Sequence, residues 1–310
     1  MLQVNDLHKK FKTTIAVNGV NLYLDEGESV GLLGPNGAGK STTISMISTL
    51  LTPTSGEIRF KGADVLKKPD AIRPVLGVVP QEIALYEELT AYENMYFFGK
   101  TYGLTGEKLK NKITEVLELV GLTDRKKDRI KNYSGGMKRR INMAVSLMHE
   151  PELLIMDEPT VGIDPQSRSH ILEMVRELNR KKGMSILYTS HYMDEVEKLC
   201  DRVYIMDHGQ IIASGTKEEL KSILSSEDTI LIEAAQKPEQ FISQLSEHPL
   251  IQQVVEVEQG YKVIVSKGDD LFADIFEIAN ASQVKVKGVH VQTPTLEDVF
   301  LHLTGRKLRD

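Results

Sequence analysis

The first thirty or so residues alternate apolar and polar positions. Leu2, Val4 and Leu7 are followed by Val20, Leu22, Tyr23 and Leu24, the pattern of strands that lead into a loop and form an antiparallel β layer. A short apolar run at 30–33 then meets a glycine-rich stretch and a helix-like segment. From residue 85 to about 148 the period lengthens. Ile113, Val116, Leu117 and Val120 recur at spacings of three and four, which places them on one helix face and predicts a helical insertion over about 85–150. Short continuous apolar runs return at 153–156, 185–189 and 202–206, separated by helix-like segments such as 166–181. Strands buried on both faces and alternating with helices predict the parallel sheet of an α/β core.

The polar tract Ser225-Ser226-Glu227-Asp228 marks a boundary, so the chain divides into residues 1–224 and a smaller C-terminal domain, 225–310. That domain reads strand (229–234), helix (238–247), strand (251–257), strand (261–265), helix (271–279), strand (284–291). The order βαββαβ suits a small ferredoxin-like α+β domain. It carries no chemical motif, and the chain has no internal repeat or low-complexity tract.

At 310 residues and 41% hydrophobic, the chain accommodates one large α/β domain and a smaller one. A net charge of −6 argues against a broad nucleic-acid footprint, and the basic clusters Lys9-Lys10, Lys126-Lys127 and Lys138-Arg139-Arg140 are short enough to be solvated helix faces. Cys200 is the only cysteine, which excludes an intrachain disulfide and suits a reducing compartment. No signal-peptide core opens the chain, and no run approaches the roughly 20 apolar residues of a spanning helix. If the protein serves transport, another chain forms the channel.

Gly34-Pro35-Asn36-Gly37-Ala38-Gly39-Lys40-Ser41-Thr42 matches the G-x-x-x-x-G-K-[ST] phosphate-binding loop at every position, between the expected strand and helix. The glycines let backbone N–H groups turn toward phosphate oxygens, and the following helix adds the positive end of its dipole. Lys40 supplies a cation for the outer phosphates, and the Ser41 hydroxyl is a hard oxygen ligand suited to Mg²⁺. The expected ligands are therefore ATP and Mg²⁺. Downstream, residues 153–156 end in Asp157 and Glu158. A buried strand brings both carboxylates to the sheet edge where the phosphate loop also ends, with Asp157 toward Mg²⁺ and Glu158 toward the terminal phosphate and the attacking water.

Tyr133-Ser134-Gly135-Gly136-Met137 resembles the L-S-G-G-Q signature of the ATP-binding cassette ATPases. It lies 94 residues after Lys40 (134 − 40) and 23 before Asp157 (157 − 134), the order and approximate spacing of that family. Gln81 is similar to the family's Q-loop glutamine, Asp164 to its D-loop aspartate, His191 to its switch histidine and Phe11 to the aromatic on which adenine stacks. Tyr133 and Met137 depart from the signature, and Met137 lacks the amide hydrogen bonds of Gln. The Y-S-G-G-M variant and the tail residues 293–300 and 303–306 resemble the daunorubicin-resistance-type branch, whose partners are separate type-2 (ABC-2) export permeases.

The resemblance implies a P-loop NTPase cassette fold. It places ATP on Phe11, the loop from Gly34 through Thr42 (Pro35, Asn36, Gly37, Ala38, Gly39, Lys40 and Ser41 between them), Ser134, Gly135, Gly136 and Asp164. It places Mg²⁺ on Ser41, Gln81 and Asp157, and gives catalytic roles to Glu158, His191 and Gln81. It further implies an ATPase that works as a homodimer, or paired with a similar chain, at the cytoplasmic face of the cell membrane. There it powers efflux of a drug or antibiotic through an ABC-2 permease. The alternative is a cassette ATPase acting on nucleic acid or ribosomes. Those relatives carry tandem cassettes or long coiled-coil insertions, and neither is present here. The transported molecule is not legible in this chain, because it would contact the permease.

Overall fold

The computed structural model describes residues 1–224, 227–234, 236–266, 271–292 and 294–305. Ser225 and Ser226 of the polar tract, and Thr293 and Arg306 of the tail motif, lie outside the described residues. Two compact units are present, Met1–Thr216 and one that starts at Lys217.

In the first unit, β1 (Leu2–Phe11) and β2 (Thr14–Leu24) pair antiparallel. β3 (Ser29–Leu33), buried throughout, runs into the phosphate loop and α1 (Lys40–Ile47). β4 (Ser55–Phe60) and β5 (Ala63–Asp64) complete a four-stranded antiparallel sheet of order β2-β1-β4-β5. After β6 (Leu76–Val79) the chain makes α2 (Ala91–Thr101), α3 (Gly106–Leu119) and α4 (Gly135–Ser146), the helical insertion. Ile113, Val116, Leu117 and Val120 are all buried, so the stripe seen in the sequence is the packing face of α3 and its C-cap.

Beyond it come β7 (Leu153–Asp157), α5 (Pro165–Lys182), β8 (Ser185–Ser190), α6 (Met193–Leu199), β9 (Arg202–Asp207) and β10 (Gln210–Thr216). The six-stranded sheet has the order β10-β9-β3-β8-β7-β6, parallel except for β10. β3 lies in the middle, between strands that come much later in sequence. Its register sets Leu33 beside Ser190, while Asp157 pairs with Thr189. Three strands thus end together at one edge, the place where α/β sheets bind ligands. A continuous core of Leu2, Val4, Leu7, Val30, Leu32, Ile155 and Leu187 joins the two sheets and makes that edge stiff.

The second unit opens with α7 (Lys217–Ser222), whose Leu220 is buried. It continues with β11 (Glu227–Ala234), α8 (Glu239–Ser246), β12 (Ile251–Val257), β13 (Gly260–Ser266), α9 (Phe272–Ala281), β14 (Val286–Gln292) and α10 (Leu296–Thr304). Its sheet order, β12-β13-β11-β14 with antiparallel neighbours, is that of a ferredoxin-like βαββαβ domain. Ile230, Ile232, Phe241, Tyr261, Val263 and Ile275 form its own core. The unit begins ahead of the polar tract, with α7 packed on α10.

Candidate active site

Gly34 to Thr42 leave the end of β3 and wrap back into α1. Two glycines are required by space: a Cβ on Gly34 would stand 2.3 Å from the Met206 carbonyl oxygen, and one on Gly39 would stand 2.5 Å from that of Ala16. Gly39 is also left-handed, with φ 106°. The loop is braced from outside, since Gly209 N–H donates to the Ala38 carbonyl at 2.9 Å. No side chain caps α1, and its first turn carries no acidic residue. Its leading N–H groups, which have no intrahelical acceptor, therefore face the loop's concavity with the positive end of the helix dipole behind them.

Lys40 is 4% exposed. Its Nζ donates to the carbonyls of Gly34 (2.8 Å) and Pro35 (3.1 Å) and lies 3.1 Å from Glu158 Oε1. Glu158 is as deeply buried and has φ 45°, a left-handed conformation that turns its carboxylate away from the line of β7. Its backbone N–H is held by Thr189 Oγ1 at 2.9 Å, and the same hydroxyl donates to Asp157 Oδ1 at 2.8 Å. One threonine on β8 thus holds the Asp157 carboxylate at the end of β7 and the backbone of Glu158 just past it. Thr189 was not singled out in the sequence because nothing but strand pairing brings it there.

Around the second oxygen of Glu158 sit Gln81, whose Nε2 is 3.5 Å away, and His191, whose Nδ1 is 3.4 Å away. His191 Nδ1 is buried with no hydrogen-bond partner, an orphaned polar atom aimed at the centre of the site. Ala16, residues 36–42, Gln81 and Glu158 line one cleft. Phe11 stands outside it on the β1–β2 hairpin, 45% exposed, with the Lys9 ammonium 5.0 Å over its ring.

Ser134, Gly135, Gly136 and Asp164 do not line the cleft. Ser134 caps α4, its Oγ accepting from Met137 N–H at 3.3 Å. Asp164 caps α5, and the backbone N–H of Ser167 holds its carboxyl below the usual range. The two caps meet: a Cβ on Gly136 would be 2.1 Å from Ser167 Oγ and 3.4 Å from Asp164 Oδ2. The glycine permits this approach of α4 to α5. On its other side α4 holds the segment after β6, for Arg139 Nη1 donates to the Pro80 carbonyl at 2.9 Å and Asn142 Oδ1 accepts from Ala84 N–H at 3.1 Å. Gln81 is thereby tied to the signature helix, a link the sequence did not reveal.

The residues present fit a nucleoside triphosphate. A Cβ at Gly37 would meet nothing within 4 Å, so the loop opens on free space, and a cation, free helix N–H groups and an orphaned imidazole nitrogen converge there. Among the described residues no group of three or more His, Cys, Asp or Glu is placed to hold a metal ion. A divalent ion at this site would complete its shell with phosphate oxygens and water, as Mg²⁺ does. A second cleft, where Lys112 pairs with Glu115 (2.9 Å) and Glu150 (2.8 Å), has its cation already satisfied.

Residues 17–161 match the family described as ABC transporter, and residues 215–304 the family described as ATP-binding protein DrrA1-3-like, C-terminal domain. The linearmycin resistance ATP-binding protein LnrL of Bacillus subtilis (strain 168) is 49% identical, with all of both chains covered. The daunorubicin/doxorubicin resistance ATP-binding protein DrrA of Streptomyces peucetius is 36% identical over all of this chain and 94% of its own. Among solved structures, a dimeric post-hydrolysis state of the ATP-binding cassette MJ0796 bound to ADP and Pi superposes with a TM-score of 0.65 at 25% identity, over 70% of this chain and 98% of that one. No described helix is long and apolar enough to cross a membrane, and subunits of this kind associate with a membrane permease. The chain belongs to the ATP-binding cassette transporter ATPases, in the branch with a daunorubicin-resistance-type C-terminal domain, and is an ATP-hydrolysing subunit of that family.

Proposed function

We propose that this subunit drives export of a drug or antibiotic through an ABC-2 type permease at the cytoplasmic face of the membrane, with ATP clasped between two copies of the chain. The observation that carries the reading is the convergence of Lys40, Gln81, Glu158 and His191 on the mouth of the glycine loop. The printed names of LnrL and DrrA, which tie those proteins to drug resistance, support the cargo class.

Phosphates enter the loop, and Lys40 exchanges its two carbonyls and Glu158 for phosphate oxygens. Glu158, released from its ion pair, accepts a proton from the attacking water. His191 Nδ1 serves the terminal phosphate, and Phe11 gives adenine a face to stack on. Ser41, Asp157 and Gln81 would hold Mg²⁺, which when bound offsets phosphate charge. Ser134 with Gly135 and Gly136 covers the triphosphate of the facing copy, so ATP bridges the dimer and hydrolysis releases it.

The permease docks beside Gln81. Tyr86 and Phe97, both exposed, meet edge to face at 5.0 Å, and Asn94 pins Tyr86 through its backbone N–H (2.9 Å) and carbonyl (3.0 Å). A preformed aromatic patch next to a catalytic loop suits a short partner helix.

Glu158→Gln is expected to retain ATP binding and to accumulate as a nucleotide-bound dimer, while turnover falls on the order of 10²- to 10⁴-fold. Phosphate release and light scattering with ATP measure both, and near-normal turnover rejects the assignment. Lys40→Ala is expected to lose nucleotide affinity; unchanged binding by calorimetry counts against the loop reading.

A further inference from the structure

One fully buried carboxylate takes no part in the scheme above: Glu195, on α6. Its Oε2 accepts from three hydroxyls, Thr160 Oγ1 at 2.8 Å, Tyr188 OH at 2.9 Å and Ser190 Oγ at 2.9 Å. Its Oε1 faces Arg168 Nε of α5 at 3.5 Å. A carboxylate removed from water is costly unless it is paired and hydrogen-bonded. Here Oε2 takes all three hydrogen bonds, while among the described residues Oε1 accepts none and has only the guanidinium charge beside it. Tyr188 remains a donor, because burial and the neighbouring Glu195 push its hydroxyl well above the ordinary tyrosine range.

The positions of the donors matter more than their number. Thr160 lies two residues beyond Glu158. Ser190 immediately precedes His191, and its Oγ also accepts from Tyr192 N–H at 2.8 Å, so His191 is held from both sides. The Arg168 guanidinium lies 4.3 Å over the Tyr192 ring, which leans on the His191 ring at 4.1 Å. A single side chain therefore joins the segment after Glu158 to the segment that carries His191.

We propose that Glu195 is a positioning residue for hydrolysis, which sets the spacing of Glu158 and His191 by tying Thr160 to Ser190. The proposal rests on the roles given above to Glu158 and His191. A misplacement of about 1 Å costs on the order of 10²-fold in rate, while nucleotide binding depends on groups that Glu195 does not touch.

The test is a double-mutant cycle on the full chain, read by single-turnover ATP hydrolysis and nucleotide affinity. Glu195→Gln is expected to lower turnover roughly 10- to 100-fold with ATP affinity unchanged, and to add no further loss in a His191→Ala background, where the spacing no longer matters. A carboxylate serving only to hold the core together would instead give losses that multiply. Should Glu195→Gln not fold, Ser190→Ala decides by the same cycle, since it removes one donor and leaves the carboxylate in place. Unchanged turnover in the variants that fold, or losses that multiply with His191→Ala, overturn the proposal. Full turnover in His191→Ala alone sinks the histidine assignment and the proposal with it, and is seen without altering Glu195.

Discussion

At the scale of single residues, the site stores its charges against one another. Lys40 and Glu158 are both buried and lie 3.1 Å apart, so each offsets the desolvation of the other until phosphate arrives. Glu158 holds this position in a left-handed conformation that costs about 1–3 kcal/mol and persists because Thr189 and the strand register impose it. A different residue makes the protein's stability sensitive to acid. His149 donates from Nε2 to the Leu76 carbonyl at 3.0 Å and stacks on Tyr102 at 4.0 Å; burial, against a smaller opposing effect of that hydrogen bond, holds its pKa below the usual 6.5. Below that value the unfolded chain binds a proton that the folded chain resists. Its contribution is therefore full above the unfolded pKa and lost as the pH falls from there toward the depressed folded value. Replacing His149 by Gln is expected to flatten the dependence of Tm on pH between about 7 and 5; an unchanged slope in thermal melts refutes this.

Among elements, the decisive ones are helix starts. Thr90 and Glu93 form a reciprocal capping box at α2, which settles where the loop over 85–90 ends. In the C-terminal unit Thr295 and Asp298 do the same for α10, and Asp298, almost fully buried, also binds Lys262 of β13 at 2.9 Å. That one carboxylate both caps the helix and fastens it to the sheet. Asp298→Ala is expected to destabilise this unit by roughly 3–5 kcal/mol, since it removes the carboxylate half of the capping box and strands a largely buried ammonium. Hydrogen exchange at the α10 amides measures it, and undiminished protection in the variant excludes the role.

For the whole molecule, the consequential surface is the one beside the aromatic patch. Glu87 and Glu88 are not free acids there. Glu87 pairs with Lys138 of the signature helix at 2.5 Å, and Glu88 with Lys131 at 2.8 Å and Arg129 at 3.6 Å. Reversing both charges is expected to open this brace and abolish co-purification with the membrane partner, with nucleotide affinity retained. Intact co-purification refutes docking at this surface. The same brace ties the loop over 85–90 to α4, the helix that Ser134 caps.

Much of this was legible along the chain. The phosphate loop is local, since its glycines and Lys40 act within nine consecutive residues, and the stripe on α3 and the two-sided burial of β7 and β8 follow from periodicity alone. The βαββαβ order was readable for the same reason. Pairwise encounters between distant segments were not. That Thr189 holds both the Asp157 carboxylate and the backbone of Glu158, that Arg139 holds Pro80, and that Glu195 gathers hydroxyls from residues 160, 188 and 190 depend on strand register and helix docking. A linear sequence specifies which groups can bond; only the folded sheet decides which of them come within 3 Å.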